Sequence, residues 1–175
     1  MRRIAVLMSF GLLLASASAA SAQDLARPQR SSIDGVELLV GRMDYDLSGT
    51  GATVPFAVRG TKALTRSLSL EFGGTLASPE QQSGRSTFLA PEARLTYSWG
   101  TGRFRPFVSG GGGFAVVQSD FVGTRWRSSL VAGGGARVYL ADGLYAVGEL
   151  RLRGLSSNFA ASTGEFLGGI GWELR

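Results

Sequence analysis

The chain has no cysteine and no histidine, and Lys62 is its single lysine among 18 basic residues. Without cysteine and histidine there can be no disulfide, no thiol nucleophile, no Cys/His zinc site and no imidazole acid–base step. The other basic residues are all arginine, whereas a solvated basic surface would usually be richer in lysine. From these absences we expect a protein that is not an enzyme and that uses no metal ion and no cofactor.

Long hydrophobic runs are also lacking, except near the N-terminus. There, Arg2 and Arg3 precede an apolar run over residues 4–15, and the small residues at 20–22 precede Gln23. This order is typical of a secretory signal peptide, and the run is short for a membrane-spanning helix. We therefore predict a signal peptide over residues 1–22, cleaved between Ala22 and Gln23, and one domain over residues 23–175. An uncleaved membrane anchor is the alternative.

The mature chain divides into segments of about ten residues in which apolar and polar side chains alternate, as in transmembrane β-strands. In the clearest segment, Leu68, Leu70 and Phe72 alternate with Ser69 and Glu71. The predicted strands cover residues 36–42, 52–60, 68–77, 88–99, 106–118, 129–140, 144–155 and 165–174. Because no apolar run can form a spanning helix, such a chain crosses a membrane only as a closed barrel.

The gaps between these segments alternate in length and polarity. Longer polar gaps at 44–51, 78–85, 119–127 and 156–164 alternate with mostly shorter ones at 61–67, 100–105 and 141–143. Outer-membrane barrels have this asymmetry, with longer loops outside and short turns in the periplasm. The sequence therefore predicts an all-β fold, an eight-stranded antiparallel up-and-down transmembrane β-barrel with both chain ends in the periplasm.

Alternation alone leaves open which face points outward, because a soluble lipocalin-like barrel closes with its apolar face inside. The polar positions carry equal numbers of glutamate and arginine and no lysine, which favours a confined lumen in which guanidinium groups pair with carboxylates. We predict a lumen charge network of Glu37, Arg59, Glu71, Glu92, Arg94, Arg137, Glu149, Arg151, Arg153 and Glu165. Glycines at the same positions, such as Gly111 and Gly133, would leave room for these long side chains.

Aromatic residues of the apolar face lie near strand ends. Tyr97 and Trp99 end the fourth predicted segment, and Trp172 lies near the end of the eighth. Both ends are predicted to be periplasmic, and aromatic side chains collect at membrane–water interfaces. We predict that Tyr97, Trp99 and Trp172 belong to an aromatic girdle.

Three stretches of the sequence, residues 105–114, 133–144 and 148–152, resemble the small OmpA/OmpX-type outer-membrane β-barrel family. The resemblance covers essentially the whole mature chain and implies a barrel in the outer membrane of a Gram-negative cell. In that family a Glu-x-Arg pair of the seventh strand points into the barrel, which by resemblance assigns Glu149 and Arg151 to the lumen.

The C-terminus resembles the signal by which such barrels are recognised by the outer-membrane assembly machinery. Gly169, Trp172 and Leu174 stand at the expected relative positions. The segment departs from the family pattern because Arg175 follows Leu174, where the family usually ends on an aromatic residue, and because Leu167 replaces a commonly polar residue. The resemblance implies that the C-terminal strand is a contact for the assembly machinery.

These observations predict a structural or surface-interaction role, in envelope integrity or adhesion. The expected partners are membrane lipids and lipopolysaccharide. No basic cluster indicates a nucleic-acid partner, and we expect a monomer. Two alternatives remain at this point, namely a narrow channel with porin-like passage and a soluble periplasmic lipocalin-like carrier.

Overall fold

The computed structural model describes residues 33–45, 51–78, 80–81, 84–100, 102–119, 123–155 and 161–174. The predicted signal peptide and its cleavage site at Ala22 and Gln23 lie outside these residues. Within the described ranges, no helix has the length and apolar character needed to cross a membrane. The strands are β1 (Gly35–Tyr45), β2 (Ala52–Thr53), β3 (Phe56–Ala63), β4 (Leu68–Ala77), β5 (Glu80–Gln81), β6 (Gly84–Ser98), β7 (Phe104–Ser119), β8 (Gly123–Ala141), β9 (Leu144–Leu155) and β10 (Ala161–Glu173).

Eight of these strands form a closed antiparallel barrel in which each strand pairs with its neighbours along the chain. The sheet closes where β10 pairs with β1, from Gly35 opposite Glu173 to Tyr45 opposite Thr163. The two-residue strands β2 and β5 add short pairings to β1 and β6. The predicted eight-stranded antiparallel up-and-down barrel is confirmed.

The two ends of the barrel differ. One end, which we call the turn end, carries the short connections at 64–67, 99–103 and 142–143. At the last of these, Gly143 has a φ of 76°, a conformation that glycine adopts at little steric cost, so β8 and β9 join in the predicted tight Asp-Gly turn. The other end, which we call the loop end, carries the remaining connections.

Some strand limits differ from the sequence prediction. The segments 68–77 and 144–155 are confirmed as β4 and β9, but β8 begins at Gly123 instead of 129, so most of the loop predicted over 119–127 is strand. At this end of the strand polar residues occupy both faces, so the sequence no longer alternates in hydrophobicity, although the backbone pairing with β7 continues. The second predicted segment is divided, because Pro55 lies between β2 and β3 and has no N–H to donate to a ladder.

The outer face of the barrel is covered by exposed apolar side chains. They include Leu95, Val108, Leu130, Leu150 and Phe166, and they occur on every one of the eight long strands. Soluble monomers rarely expose contiguous apolar surface of this extent, so this face suits contact with lipid hydrocarbon. A lipocalin-like carrier would have the opposite arrangement, with apolar residues around a central cavity.

Glycines on the inner face allow neighbouring strands to approach each other closely. A Cβ atom built on Gly111 would lie 2.1 Å from the carbonyl oxygen of Ala93 on the adjacent strand β6. The neighbouring Gly110 points to the opposite face, where a Cβ atom would meet nothing within 4 Å. The narrow barrel therefore requires glycine at position 111, whereas position 110 has room for a larger residue.

We predict that Gly111→Ala prevents the barrel from closing, because the added methyl group overlaps backbone that cannot move aside. The folded fraction, measured by heat-modifiable gel migration after refolding in detergent micelles, should fall below half of the wild-type fraction. Gly110→Ala is the matched control and should refold like the wild type. Equal refolding of the two variants would contradict the steric explanation.

Candidate functional site

The inner face of the barrel carries two groups of charged side chains, each with no net charge. The turn-side cluster has three carboxylates and three guanidinium groups, and the loop-side cluster has two of each. Each of these residues is at most 8% exposed. The turn-side cluster is Glu37, Glu71, Glu149, Arg59, Arg94 and Arg137, and the loop-side cluster is Glu92, Glu165, Arg151 and Arg153.

In the turn-side cluster, arginines connect carboxylates from several strands. Arg59 on β3 lies between Glu37 on β1, at 3.1 Å, and Glu149 on β9, at 2.5 Å. Arg94 on β6 contacts the other oxygen of Glu149 at 2.5 Å and Glu71 on β4 at 2.6 Å. The bonds of Arg59 and Arg94 to Glu149 run across the lumen, because neither β3 nor β6 is a neighbour of β9 in the sheet, whereas Glu37 and Glu71 lie on strands adjacent to those of their arginines.

Arg137 on β8 completes the turn-side cluster. Its Nε donates to Glu37 Oε1 at 2.8 Å and its Nη2 donates to Glu71 Oε1 at 2.6 Å. The Tyr145 hydroxyl donates to the same oxygen of Glu37 at 3.0 Å. Six of the eight long strands thus contribute a charged side chain to this cluster.

The loop-side cluster is built from β6, β9 and β10. Glu92 accepts a hydrogen bond from Arg151 at 2.9 Å and lies 2.7 Å from Arg153. Glu165 forms ion pairs with both of these arginines. Hydroxyl groups accept further hydrogen bonds from the guanidinium groups. For example, Arg151 Nη2 donates to Thr75 Oγ1 at 2.6 Å. The two clusters approach each other where Arg94 Nε lies 4.0 Å from Glu92 Oε1.

Apolar side chains also fill part of the interior, which the sequence analysis did not predict. One cluster consists of Leu39, Ala57, Phe107, Tyr145, Val147 and Leu167. A second cluster, which we call the loop-end plug, consists of Met43, Ala77, Phe88, Ala90, Ala115 and Leu155. The sequence signal for these clusters is an apolar residue at a position where the alternation predicts a polar one. Leu167 is such a residue, and its side chain is fully buried.

Two arginines join the charged clusters to these apolar side chains. The Arg137 Cζ atom lies 4.7 Å from the centroid of the Phe107 ring, and the Arg153 Cζ atom lies 5.8 Å from that of Phe88. A guanidinium group over an aromatic face is stabilised by the quadrupole of the ring. These contacts connect the turn-side cluster to Phe107 and the loop-side cluster to Phe88 of the loop-end plug.

The three residues predicted for the aromatic girdle lie on the outer face at the turn end. Tyr97 and Trp99 stack with ring centroids 6.2 Å apart at the end of β6, and Trp172 lies near the end of β10. At the loop end, Phe114 and Trp126 form a second pair, with centroids 5.2 Å apart. Trp126 falls in a segment that is predicted as a loop, although it lies within β8.

The chain shares its fold with solved outer-membrane proteins at low sequence identity. No protein-family profile and no curated protein matches it. Neisserial surface protein A is 12% identical with a TM-score of 0.62, and the alignment covers 80% of this chain and 95% of that one. The N-terminal β-barrel domain of Pseudomonas aeruginosa OprF is 18% identical with a TM-score of 0.57, over 81% of this chain and 98% of that one.

A further neighbour is the outer membrane enzyme PagL, at 14% identity and a TM-score of 0.52, over 80% of this chain and 99% of that one. Enzymes and proteins not described as enzymes therefore share this fold, and the fold alone does not decide the activity.

We predict that Glu71→Gln destabilises the barrel by about 3–5 kcal/mol, because it leaves the buried turn-side cluster with three guanidinium groups and only two carboxylates. The measurement is urea unfolding in phospholipid vesicles. Asp44→Asn is the matched control, since Asp44 pairs with Arg42 on the exposed surface, where an ion pair contributes little. Equal unfolding midpoints for the two variants would contradict a stabilising role of the cluster.

Both the closed eight-stranded barrel and its apolar outer face are features of proteins that span the bacterial outer membrane. The predicted outer-membrane barrel is thereby confirmed at the level of the fold. The chain is a transmembrane β-barrel with the fold of the small OmpA/OmpX-type outer-membrane proteins.

Proposed function

We propose that this chain is a sealed outer-membrane barrel with a structural or surface-interaction role, in envelope integrity or adhesion. The observation that carries the proposal is the filling of the interior by ion pairs and apolar side chains. An eight-stranded barrel has an interior just wide enough for side chains, so a packed lumen leaves little room for a solute.

The charge distribution of the lumen supports a sealed barrel over a porin-like passage. Each cluster is neutral, and each guanidinium group is bonded to carboxylates from other positions of the wall, as Arg94 is to Glu71 and Glu149. A selective pore would need charged groups that can exchange their partners for a passing ion. Above the loop-side cluster, Phe88 and Leu155 of the loop-end plug add an apolar barrier.

The same pairing argues against catalysis. A general acid or base must reach a substrate, whereas Glu92, Glu149 and Glu165 are buried and ion-paired. The chain also has no histidine and no cysteine to act as a base or nucleophile. We therefore propose a function that is not enzymatic, in contrast to the neighbour PagL.

The proposed partners follow from the outer face and the closed sheet. Lipid chains contact the exposed apolar residues, and lipopolysaccharide would contact the loop end, where Phe114 and Trp126 form an aromatic pair. The assembly machinery would engage β10, which closes the barrel against β1. Because a closed sheet has no free long edge, we propose a monomer.

A conductance measurement separates a sealed barrel from a channel. In planar bilayers the wild type should show no steady single-channel conductance, because the loop-end plug closes the lumen. Combined Phe88→Ala and Leu155→Ala substitutions should open transient conductance, whereas Leu152→Ala, on the outer face of the same strand as Leu155, should not. A steady wild-type conductance that Glu149→Ala or Arg151→Ala alters would support the channel instead.

The proposed girdle can be located by tryptophan fluorescence. The chain has three tryptophans, at positions 99, 126 and 172, so replacing two of them by Phe leaves one reporter at a time. In vesicles of brominated lipids, each reporter should be quenched more strongly by bromine near the headgroup than by bromine at the chain end. Equal or absent quenching at Trp99 and Trp172 would contradict a girdle at the turn end.

A further inference from the structure

The turn end of the barrel contains two adjoining cavities that border the turn-side cluster. Their volumes are about 380 Å³ and about 320 Å³. Both are lined by Ala63, Arg137, Tyr139 and Glu173, so they form one opening, which we call the turn-end vestibule. Its lining is rich in hydrogen-bond donors.

The most informative donor of the vestibule is Arg105. Its Nη1 donates to the Tyr139 hydroxyl at 3.1 Å, and its Cζ atom lies 4.2 Å from the centroid of the Tyr139 ring. The guanidinium group is therefore held in one position. Its Nε is nevertheless buried without a hydrogen-bond partner. The side chain as a whole is 39% exposed, so a ligand in the cavity can approach the guanidinium group.

Two further guanidinium groups line the same cavity. Arg137 uses its Nε and Nη2 on Glu37 and Glu71, while its Nη1 makes only a long contact of 3.4 Å with Ser98 Oγ among the described residues. Arg66 lies in the connection between β3 and β4, with an exposed side chain. The hydroxyl groups of Ser67 and Ser69 also line this cavity, and that of Ser69 donates to the Thr96 carbonyl at 3.5 Å.

The charge of the vestibule favours an anion. Arg137 is neutralised by carboxylates of the turn-side cluster. Glu173 is the carboxylate in the lining of the larger cavity, where it accepts a hydrogen bond from the Tyr139 hydroxyl at 2.5 Å and lies 3.9 Å from Arg105 Nη1, while Arg66 adds a second positive charge to the same lining. In the smaller cavity, Asp34 Oδ2 already accepts a bond from the Ala63 amide at 2.7 Å. The larger cavity is thus left with a net positive charge.

We propose that the turn-end vestibule binds a phosphate group, either free phosphate or the headgroup of a membrane lipid. A phosphate offers several acceptor oxygens, and guanidinium groups bind them with strong charge-assisted bonds. The exposed part of the Arg105 guanidinium group would bind the phosphate, and Arg66 would add a second guanidinium group from the connection between β3 and β4. The site depends on the barrel fold and not on whether the lumen is sealed.

The test uses the full mature chain, refolded in phosphate-free detergent micelles and titrated with inorganic phosphate. Binding is followed by isothermal calorimetry and by broadening of the ³¹P resonance. Arg105→Gln and Arg66→Gln should each weaken binding about tenfold, as the loss of a charge-assisted bond predicts. Arg103→Gln removes the same charge two residues before Arg105, outside the cavity lining, and should bind like the wild type.

A second arm distinguishes the two sources of phosphate. The same titration is repeated in bilayer discs of phosphatidylglycerol. If inorganic phosphate binds as it does in micelles, the site takes the free anion. If the lipid competes with inorganic phosphate and its binding is lost, the site takes a lipid headgroup. The proposal is overturned if the folded wild type binds no inorganic phosphate in micelles, or if the Arg66→Gln and Arg105→Gln variants bind it as tightly as Arg103→Gln does. Heat-modifiable migration confirms that each variant is folded, and the exposed position of Arg66 makes its substitution safe for folding.

Discussion

The structure depends on the exclusion of ions from hydrocarbon. A strand that crosses a bilayer must present apolar side chains to lipid, so its charged side chains can only point into the barrel. Inside a lumen as narrow as that of eight strands, the charges must also neutralise each other, because an unpaired buried ion costs several kcal/mol. The turn-side and loop-side clusters meet both conditions, and each is neutral by itself.

The choice of residues follows from the same constraint. Arginine presents several donors in a planar fork, which lets one side chain bond carboxylates on different strands, as Arg59 does with Glu37 on the adjacent strand and Glu149 across the lumen. A lysine ammonium group is a compact and strongly hydrated charge, and it suits such a site less well. Glycine on the inner face then allows the close strand approach that the small radius requires, as at Gly111. The lack of lysine and the abundance of glycine are thus two consequences of one narrow lumen.

The sequence predicted the fold and the parity of the charged residues because both follow from local alternation. The limits of β4 and β9 could be read directly, since their alternation is unbroken. The pairing of the charges could not be predicted, because Arg59 and Glu149 are 90 positions apart and meet only once the barrel has closed. The loop-end plug and the first residues of β8 were missed for another reason, since neither follows the alternation imposed by lipid and lumen.

The most direct test of the account is the environment of single spin labels on the two faces, which the absence of native cysteine makes feasible. Labels introduced by Leu95→Cys and Leu150→Cys, on the exposed outer face, should collide with oxygen dissolved in the bilayer and be shielded from a water-soluble nickel reagent. A label at Thr96→Cys, on the buried inner face, should be shielded from both reagents. Outer-face labels open to the aqueous reagent would contradict the orientation on which the fold, the location and the proposed function all rest.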